Sequence, residues 1–180
     1  GNEILLLFHP VTTESEKSGN QIENILNALI KLKTSIIAIA PNSEDGNSAI
    51  FNVLDNYAKK YEYIKLFKNL PRTDYLSFLK YSGILVGNSS SGIIEASYFK
   101  IPVVNVGIRQ NDRERGPNVI DVNDDIKLIY SALKKAILMR QSFKLKPTKI
   151  YGNGNSSKKI VKILETITLS KDLIQKQIAY

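Results

Sequence analysis

Six short apolar runs, rich in aliphatic and β-branched residues, recur along the chain. They lie at residues 3–9, 35–40, 63–67, 83–87, 102–107 and 118–122. Runs of this length, bounded by polar or glycine-containing residues, predict β-strands. Because most of them are continuously apolar rather than alternating, we expect strands that are buried on both faces of a sheet.

Helical periodicity fills the intervals between these runs. Apolar residues recur with i, i+3 and i+4 spacing at 22–30, 50–57, 76–79 and 93–99. After the sixth run, Asp124 or Asp125 is predicted to cap a helix over 126–137, and a final helix begins near Ser156. This alternation predicts an α/β fold, a doubly wound, parallel six-stranded sheet with right-handed crossovers.

Length and composition favour a single domain over residues 1–180, because 43% of the 180 residues are apolar and no break in composition suggests a second core. No apolar run approaches the roughly 20 residues of a membrane helix, so we expect a soluble protein without a membrane partner. The start, GNEILLLF, has neither an initiator methionine nor signal-peptide features, and indicates part of a longer, cytoplasmic protein. With no cysteine and one histidine, no metal site is expected.

The net charge of +8 arises from an excess of lysine and arginine within residues 134–180, whereas residues 1–133 are nearly balanced. Such a segment can bind nucleic acid, but scattered lysines more often form solvated helix faces. Aromatic residues in the basic segment are sparse: Phe143, Tyr151 and Tyr180. We therefore favour the solvated interpretation and expect no nucleic-acid partner.

Ligands of parallel sheets bind at the carboxyl ends of the strands. The turns expected there read HPVTTE, APNSEDGN, KNLPRTD, GNSSSG and GIRQNDRERG. In GNSSSG, Ser91 stands where a G-x-S-x-G elbow needs glycine, and Ile93 follows Gly92 where a P-loop needs lysine. Two interpretations remain open: Ser89 and Ser90 bind an anion at the start of a helix near Ser91, or they cap that helix.

Four further residues lie at the same predicted edge of the sheet. Glu95, one turn into the helix, is placed either to accept hydrogen bonds from a ribose diol or to complement the helix dipole. Arg109 and Arg113 suit a diphosphate, or form ion pairs within their own loop. His9 ends the first predicted strand, on the side of the sheet where ligands bind. It either contacts a phosphate or the substrate or has a structural role.

Together, HPVTTE, GNSSSGIIEA, VVNVGIRQNDRERGPNVI and YGNGNSSKKIV resemble the UDP-N-acetylglucosamine 2-epimerases, especially the hydrolysing branch that feeds sialic acid synthesis. The likeness covers nearly the whole chain. It implies that residues 1–180 form the UDP-binding, carboxyl-terminal half of a GT-B arrangement, in which two Rossmann-like domains face each other across a cleft. One departure is Asn153, because the family usually has YGDG where this chain has YGNG.

The resemblance implies a UDP site without a separate cofactor. Its members are His9, which contacts UDP and assists catalysis, Asn42 near the uridine, Ser89 and Ser90 at the diphosphate, Glu95 at the ribose hydroxyls, and Arg109 at the UDP. The family reaction removes the C2 proton as UDP leaves, and water attacks the resulting glycal to release N-acetylmannosamine. Because the family's carboxylate base lies on the other domain, this chain should bind nucleotide without turnover.

Alternative functions remain open at this stage. A GT-B glycosyltransferase donor domain shares the serine turn and the acidic ribose contact, although HPVTTE and GIRQ favour the epimerase. An epimerase acting on UDP-diacetylbacillosamine belongs to the same family, and a nucleotide-sugar-binding module without catalysis is the third alternative. The resemblance also implies a homo-oligomer for the full-length protein.

Overall fold

The computed structural model describes residues 1–142 and 144–174. Its centre is a parallel sheet of six strands in the order β3-β2-β1-β4-β5-β6. The strands are β1 (Ile4–Leu7), β2 (Ile36–Ile39), β3 (Ile64–Phe67), β4 (Ile84–Gly87), β5 (Val103–Val106) and β6 (Val119–Val122). Each lies within a predicted run, so the α/β fold with a six-stranded parallel sheet is confirmed.

Helices connect consecutive strands from β1 to β5 and cover both faces of the sheet, whereas a loop without a helix joins β5 to β6. They are α1 (Ser18–Leu29), α2 (Asn47–Lys60), α3 (Arg72–Tyr81), α4 (Glu95–Phe99) and α5 (Ile126–Gln141), with 3-10 turns at Thr12–Lys17, Ile30–Leu32 and Ser90–Gly92. The predicted cap of α5 is Asp125, whose carboxylate accepts hydrogen bonds from the backbone N–H groups of Lys127 and Leu128, both at 2.9 Å.

Two apolar clusters, one on each face of the sheet, explain why the strands are continuously apolar. In β1, Ile4 and Leu6 join the larger cluster with α1, α2 and α5, whereas Leu5 and Leu7 join the smaller cluster with α3 and α4. All four side chains are at most 8% exposed. Burial of both faces leaves the polar chemistry to the strand ends.

The helix expected near Ser91 begins differently. Residues Ser90–Gly92 form a 3-10 turn, and α4 begins only at Glu95. The carbonyl oxygen of Ser90 accepts hydrogen bonds from both Ile93 N and Ile94 N, each at 3.0 Å. This shared acceptor marks the transition from 3-10 to α geometry, so Glu95 starts the helix instead of lying one turn inside it.

The chain folds as two compact units, residues 1–150 and 151–180. In the second unit, α6 (Ser156–Thr166) begins where the sequence predicts, after a YGNG turn with positive φ at Gly152 (101°) and Gly154 (84°). A short helix, α7 (Lys171–Ile174), follows. The expectation of one UDP-binding domain over residues 1–180 stays a prediction. Among the described helices, none combines the length and apolarity that crossing a bilayer requires.

Gly87 at the end of β4 provides a test of this architecture. Its φ is +133°, and a Cβ at this position would overlap the carbonyl oxygen of Leu7 on β1. We expect Gly87→Ala to lower the free energy of unfolding by about 3 kcal/mol or more, because strain and a backbone clash coincide. Urea unfolding measures this loss.

Gly107→Ala is the matched control. Gly107 also has positive φ, +81°, but a Cβ there meets no atom within 4 Å. We expect a loss of about 1 to 2 kcal/mol, from left-handed strain alone. Equal losses in the two variants would contradict the close approach of β4 to β1.

Candidate functional site

The site lies where β1 and β4, adjacent in the sheet, lead to connections that run in opposite directions. Such a switch point opens a crevice at the carboxyl ends of the strands. His9 follows β1 and Asn88 follows β4. The amide oxygen of Asn88 accepts a hydrogen bond from His9 N at 2.7 Å, and its Nδ2 donates to His9 O at 2.8 Å. This reciprocal pair fixes the two strand ends against each other.

The backbone of Asn88 extends the connection to the loop after β5. Its carbonyl oxygen accepts a hydrogen bond from Gln110 Nε2 at 2.8 Å and another from Arg109 Nη1 at 3.4 Å. Asn88 and Gln110 are each 1% exposed. Sequence reasoning missed both residues, although each lies in a turn that it singled out. The sequence feature that could have identified them is an amide side chain close to the end of a buried strand, because an amide both donates and accepts hydrogen bonds.

His9 is held in one tautomer by the loop after β2. The backbone N–H of Asn42 donates to His9 Nδ1 at 3.2 Å, so the neutral ring carries its proton on Nε2. Burial and the nearby charge of Arg109 lower the pKa of His9 from its usual 6.5, while the negative charge of Glu44 opposes that shift. The imidazole is therefore a neutral Nε2–H donor near physiological pH.

In the serine turn, the three hydroxyls have different surroundings. Ser89 is the N-cap of the 3-10 turn, and its Oγ accepts a hydrogen bond from Ser91 N at 3.3 Å. Ser91 Oγ hydrogen-bonds to the Tyr75 hydroxyl on α3. Burial raises the pKa of Tyr75 to about 12, so this hydroxyl stays protonated. Ser89 thus has the capping contact that the sequence left open, and Ser90 lines a cleft.

Glu95 lies beside this turn as the first residue of α4. Its carboxylate is 3.6 Å from Arg72 Nη2 on α3, and its side chain is 24% exposed. The Arg72 side chain is largely exposed, at 77%, so the ion pair is accessible to solvent and weak. A carboxylate in this position has oxygen lone pairs for two further donors.

A cleft of about 400 Å³ opens at the same edge of the sheet. It is lined by Pro10, Val11, Thr12, Glu44, Ser90, Ile108, Arg109, Gln110 and Arg113. Of the sequence-predicted residues, it brings together Ser90, Arg109 and Arg113. The predicted residues outside this lining are His9, which adjoins it through Pro10, and Asn42, Ser89 and Glu95.

The arginines of the loop 107–116 have different tasks. Arg115 holds the loop itself, donating to the Asp121 carboxylate and to the carbonyl oxygens of Gln110 and Arg113. Arg109 instead faces the cleft, with Nη2 3.6 Å from Glu44 Oε1. Guanidinium groups, a hydroxyl and a neutral imidazole donor form an arrangement that suits a phosphate-bearing ligand.

Comparison with known proteins identifies the family. Residues 1–165 match the model of the family described as UDP-N-acetylglucosamine 2-epimerase. The chain belongs to this family. The resemblance stated from the sequence motifs is therefore confirmed at the level of the family.

Curated relatives of this epimerase-family chain include hydrolysing enzymes. The UDP-N,N'-diacetylbacillosamine 2-epimerase (hydrolyzing) of Legionella pneumophila is 37% identical over 98% of the chain and 46% of its own length. The GDP/UDP-N,N'-diacetylbacillosamine 2-epimerase (hydrolyzing) of Campylobacter jejuni is 38% identical over 67% of the chain and 32% of its own length. The chain thus spans less than half the length of these relatives.

A solved epimerase shares the fold. The UDP-GlcNAc 2-epimerase of Methanocaldococcus jannaschii, in complex with UDP-GlcNAc and UDP, superposes with a TM-score of 0.70 at 20% identity. The match covers 91% of this chain and 45% of that one. The fold is therefore that of one half of a GT-B-like epimerase, as the family resemblance implied.

Since His9 is the single histidine of the chain, its imidazole signals report the epimerase-family site directly. We expect an NMR titration to give a His9 pKa below 6.5 and nitrogen shifts of the Nε2–H tautomer. Arg109→Gln should raise this pKa and Glu44→Gln should lower it, since each removes a charge acting on the ring. Because the folded-state pKa is depressed, stability should fall as the pH drops below about 6.5.

A wild-type His9 pKa at or above 6.5 would contradict this electrostatic account, and so would a lowered pKa in Arg109→Gln or a raised pKa in Glu44→Gln. Asp45→Asn is the control for the Glu44 variant. Asp45 is the exposed neighbour of Glu44 and does not line the cleft. Its substitution removes the same charge from a residue that is not among the causes of the His9 pKa shift, and should leave the His9 titration nearly unchanged.

Proposed function

We propose that this chain binds the UDP moiety of a nucleotide sugar and forms the UDP-binding half of a hydrolysing UDP-sugar 2-epimerase. The observation that carries the proposal is the cleft at the β1/β4 switch point, where Ser90, Arg109 and Arg113 converge in a member of the epimerase family. Crevices at switch points are the usual ligand sites of such sheets.

The diphosphate is assigned to the cleft itself. Arg109 and Arg113 lie on one loop, and Ser90 lines the cleft beside them. Guanidinium groups bind phosphate oxygens through short charge-assisted hydrogen bonds. When the bond between sugar and diphosphate breaks, negative charge grows on the leaving UDP, and donors already in place stabilise it without reorganisation.

Glu95 is assigned to the ribose hydroxyls. A diol supplies two donors, and an ionised carboxylate accepts both. Arg72 lies 3.6 Å from this carboxylate, on the α3 side. Asn42, whose backbone N–H holds His9, is assigned to the neighbourhood of the uridine.

His9 is assigned a catalytic role as a neutral hydrogen-bond donor. With Nδ1 occupied by the Asn42 N–H, Nε2–H remains for the ligand. The lowered pKa keeps the ring uncharged near neutral pH, so His9 donates a hydrogen bond to the leaving diphosphate without adding a formal charge.

The full-length reaction is proposed to release UDP and the 2-epimeric sugar through a glycal intermediate. Removing the C2 proton requires a base, which we assign to the part of the protein that its relatives have beyond the matched half. This chain alone should therefore bind UDP without turnover. A cytoplasmic, homo-oligomeric full-length enzyme belongs to the same proposal.

Two substrates fit the proposal: UDP-N-acetylglucosamine, which would yield N-acetylmannosamine, and UDP-N,N'-diacetylbacillosamine. The second is favoured by the hydrolysing relatives from Legionella pneumophila and Campylobacter jejuni. Turnover of the full-length enzyme with each sugar, followed by UDP release, distinguishes them. The family match over residues 1–165 supports epimerisation over transfer to an acceptor by a glycosyltransferase domain of similar architecture.

Calorimetry with UDP tests the proposal on this chain. We expect saturable one-site binding that Glu95→Ala weakens by about 1 to 3 kcal/mol, because hydrogen bonds to the ribose diol are lost. Glu62→Ala is the matched control, since Glu62 is an exposed residue between α2 and β3. Its removal should leave UDP affinity unchanged.

Salt concentration separates a UDP pocket from general polyanion binding by the basic segment. Nucleic-acid binding weakens steeply with salt, because many counterions are released, whereas binding of one UDP should change much less. Equal effects of Glu95→Ala and Glu62→Ala would contradict the ribose assignment. Failure of both this chain and the full-length protein to bind UDP would contradict the proposed function.

A further inference from the structure

Glu44 is the acidic side chain in the lining of the cleft. It lies in the connection between β2 and α2, which is anchored on both sides. Asn42 N donates to His9 Nδ1 at 3.2 Å, and Asn47 N donates to the carbonyl oxygen of Glu44 at 3.1 Å. Gly46, with φ +89°, packs so closely that a Cβ would lie 2.8 Å from Ser18 Oγ. The position of Glu44 is therefore built into the fold.

The carboxylate of Glu44 faces the arginine assigned to the ligand. Its Oε1 is 3.6 Å from Arg109 Nη2, while Nη1 of the same guanidinium donates to the carbonyl oxygen of Asn88 at 3.4 Å. One edge of the guanidinium is thus fixed to the scaffold, and the other is engaged by the protein's own anion. The side chains are 26% exposed for Arg109 and 41% for Glu44, so this ion pair borders solvent.

We propose that Glu44 is an internal counter-ion that competes with the ligand's diphosphate for Arg109. The inference rests on the proposed function, because it takes the diphosphate of UDP to occupy this cleft. The oxygens of an ionised carboxylate and of an ionised phosphate are both acceptors, so neither group can donate a hydrogen bond to the other. A phosphate that reaches Nη2 therefore displaces Glu44 or remains beside a like charge.

The strength of the ion pair suits displacement. Pairs of partly exposed charges are weak, and water screens their attraction, so the side chain of Glu44 can swing away while its anchored backbone stays. The remaining repulsion between the carboxylate and a bound phosphate then lowers affinity by a modest factor. Glu44 tunes the occupancy of the cleft rather than blocking it.

This competition distinguishes product from substrate. Free UDP ends in a terminal phosphate whose second ionisation has a pKa of about 6, similar to that of a phosphate monoester, whereas in a UDP-sugar the same phosphate is esterified to the sugar and lacks this ionisation. The product therefore carries about one more negative charge near neutral pH, and Glu44 disfavours it more than the substrate. The carboxylate would promote release of UDP after the reaction.

Calorimetric affinities of variants test the inference. We expect Glu44→Gln, which keeps the size of the side chain, to tighten UDP binding about three- to tenfold, because a like charge is removed from a partly exposed site. The gain for UDP-N-acetylglucosamine should be smaller. Asp45→Asn, the same charge change on the exposed neighbour, should alter UDP affinity less than twofold.

The Arg109→Gln background isolates the competition itself. If Glu44 acts by occupying this guanidinium, the gain from Glu44→Gln should fall below twofold once Arg109 is removed. An unchanged or weakened UDP affinity in the single variant Glu44→Gln would overturn the inference. So would a gain that persists fully without Arg109, and equal gains for UDP and UDP-N-acetylglucosamine would overturn the product-selective part.

Binding of inorganic pyrophosphate, measured through the NMR signals of the His9 imidazole, distinguishes failure of this inference from failure of the proposed function. If UDP does not bind but Glu44→Gln still tightens pyrophosphate, the counter-ion inference stands and the uridine assignment is wrong. If UDP binds with equal affinity to wild type and Glu44→Gln, only the counter-ion inference is wrong. Binding of neither probe overturns both.

Discussion

The arrangement of the site depends on the reciprocal hydrogen bonds between the Asn88 side chain and the backbone of His9. They join the ends of two adjacent parallel strands, at 2.7 and 2.8 Å, and the Asn88 side chain that makes them is buried. The carbonyl oxygen of Asn88 then receives donors from Arg109 and Gln110. Hydrogen bonds between buried polar groups specify geometry, because losing one of them leaves a buried group unpaired at a high cost.

Electrostatics in the cleft follow from this geometry. His9 is held neutral with its donor nitrogen available, because Asn42 occupies Nδ1 and both burial and Arg109 disfavour the imidazolium. Arg109 is the guanidinium assigned to the ligand in the proposed function, and Glu44 already engages it. The site therefore combines fixed donors with one partly exposed carboxylate, an arrangement that, under the proposed function, would stabilise a departing diphosphate and favour its release.

The sequence predicted the fold well, because continuous apolar runs report strands buried on both faces and the turns between them report the ligand edge. It also placed Ser90, Arg109 and Arg113 at one edge, which the structure brings into one cleft. The contacts of Asn88 and Gln110 could not be predicted from the sequence, because they depend on which strands become neighbours in the sheet. For the same reason, the pairing of Arg109 with Glu44 gives no local signal in the chain.

The measurement that tests this account most directly is UDP affinity and the His9 imidazole spectrum in Asn88→Asp. The substitution keeps the shape of the side chain but sets a carboxylate oxygen against His9 O in place of a donor. We expect UDP affinity to fall about tenfold or more and the His9 signals to shift, because a buried hydrogen bond is lost. Asn24→Asp is the control: it loses the hydrogen bond from Asn24 to Asp124 O, which lies outside the cleft, and should change neither the affinity nor the spectrum. Wild-type affinity and an unchanged His9 spectrum in Asn88→Asp would contradict the claim that this connection positions the site.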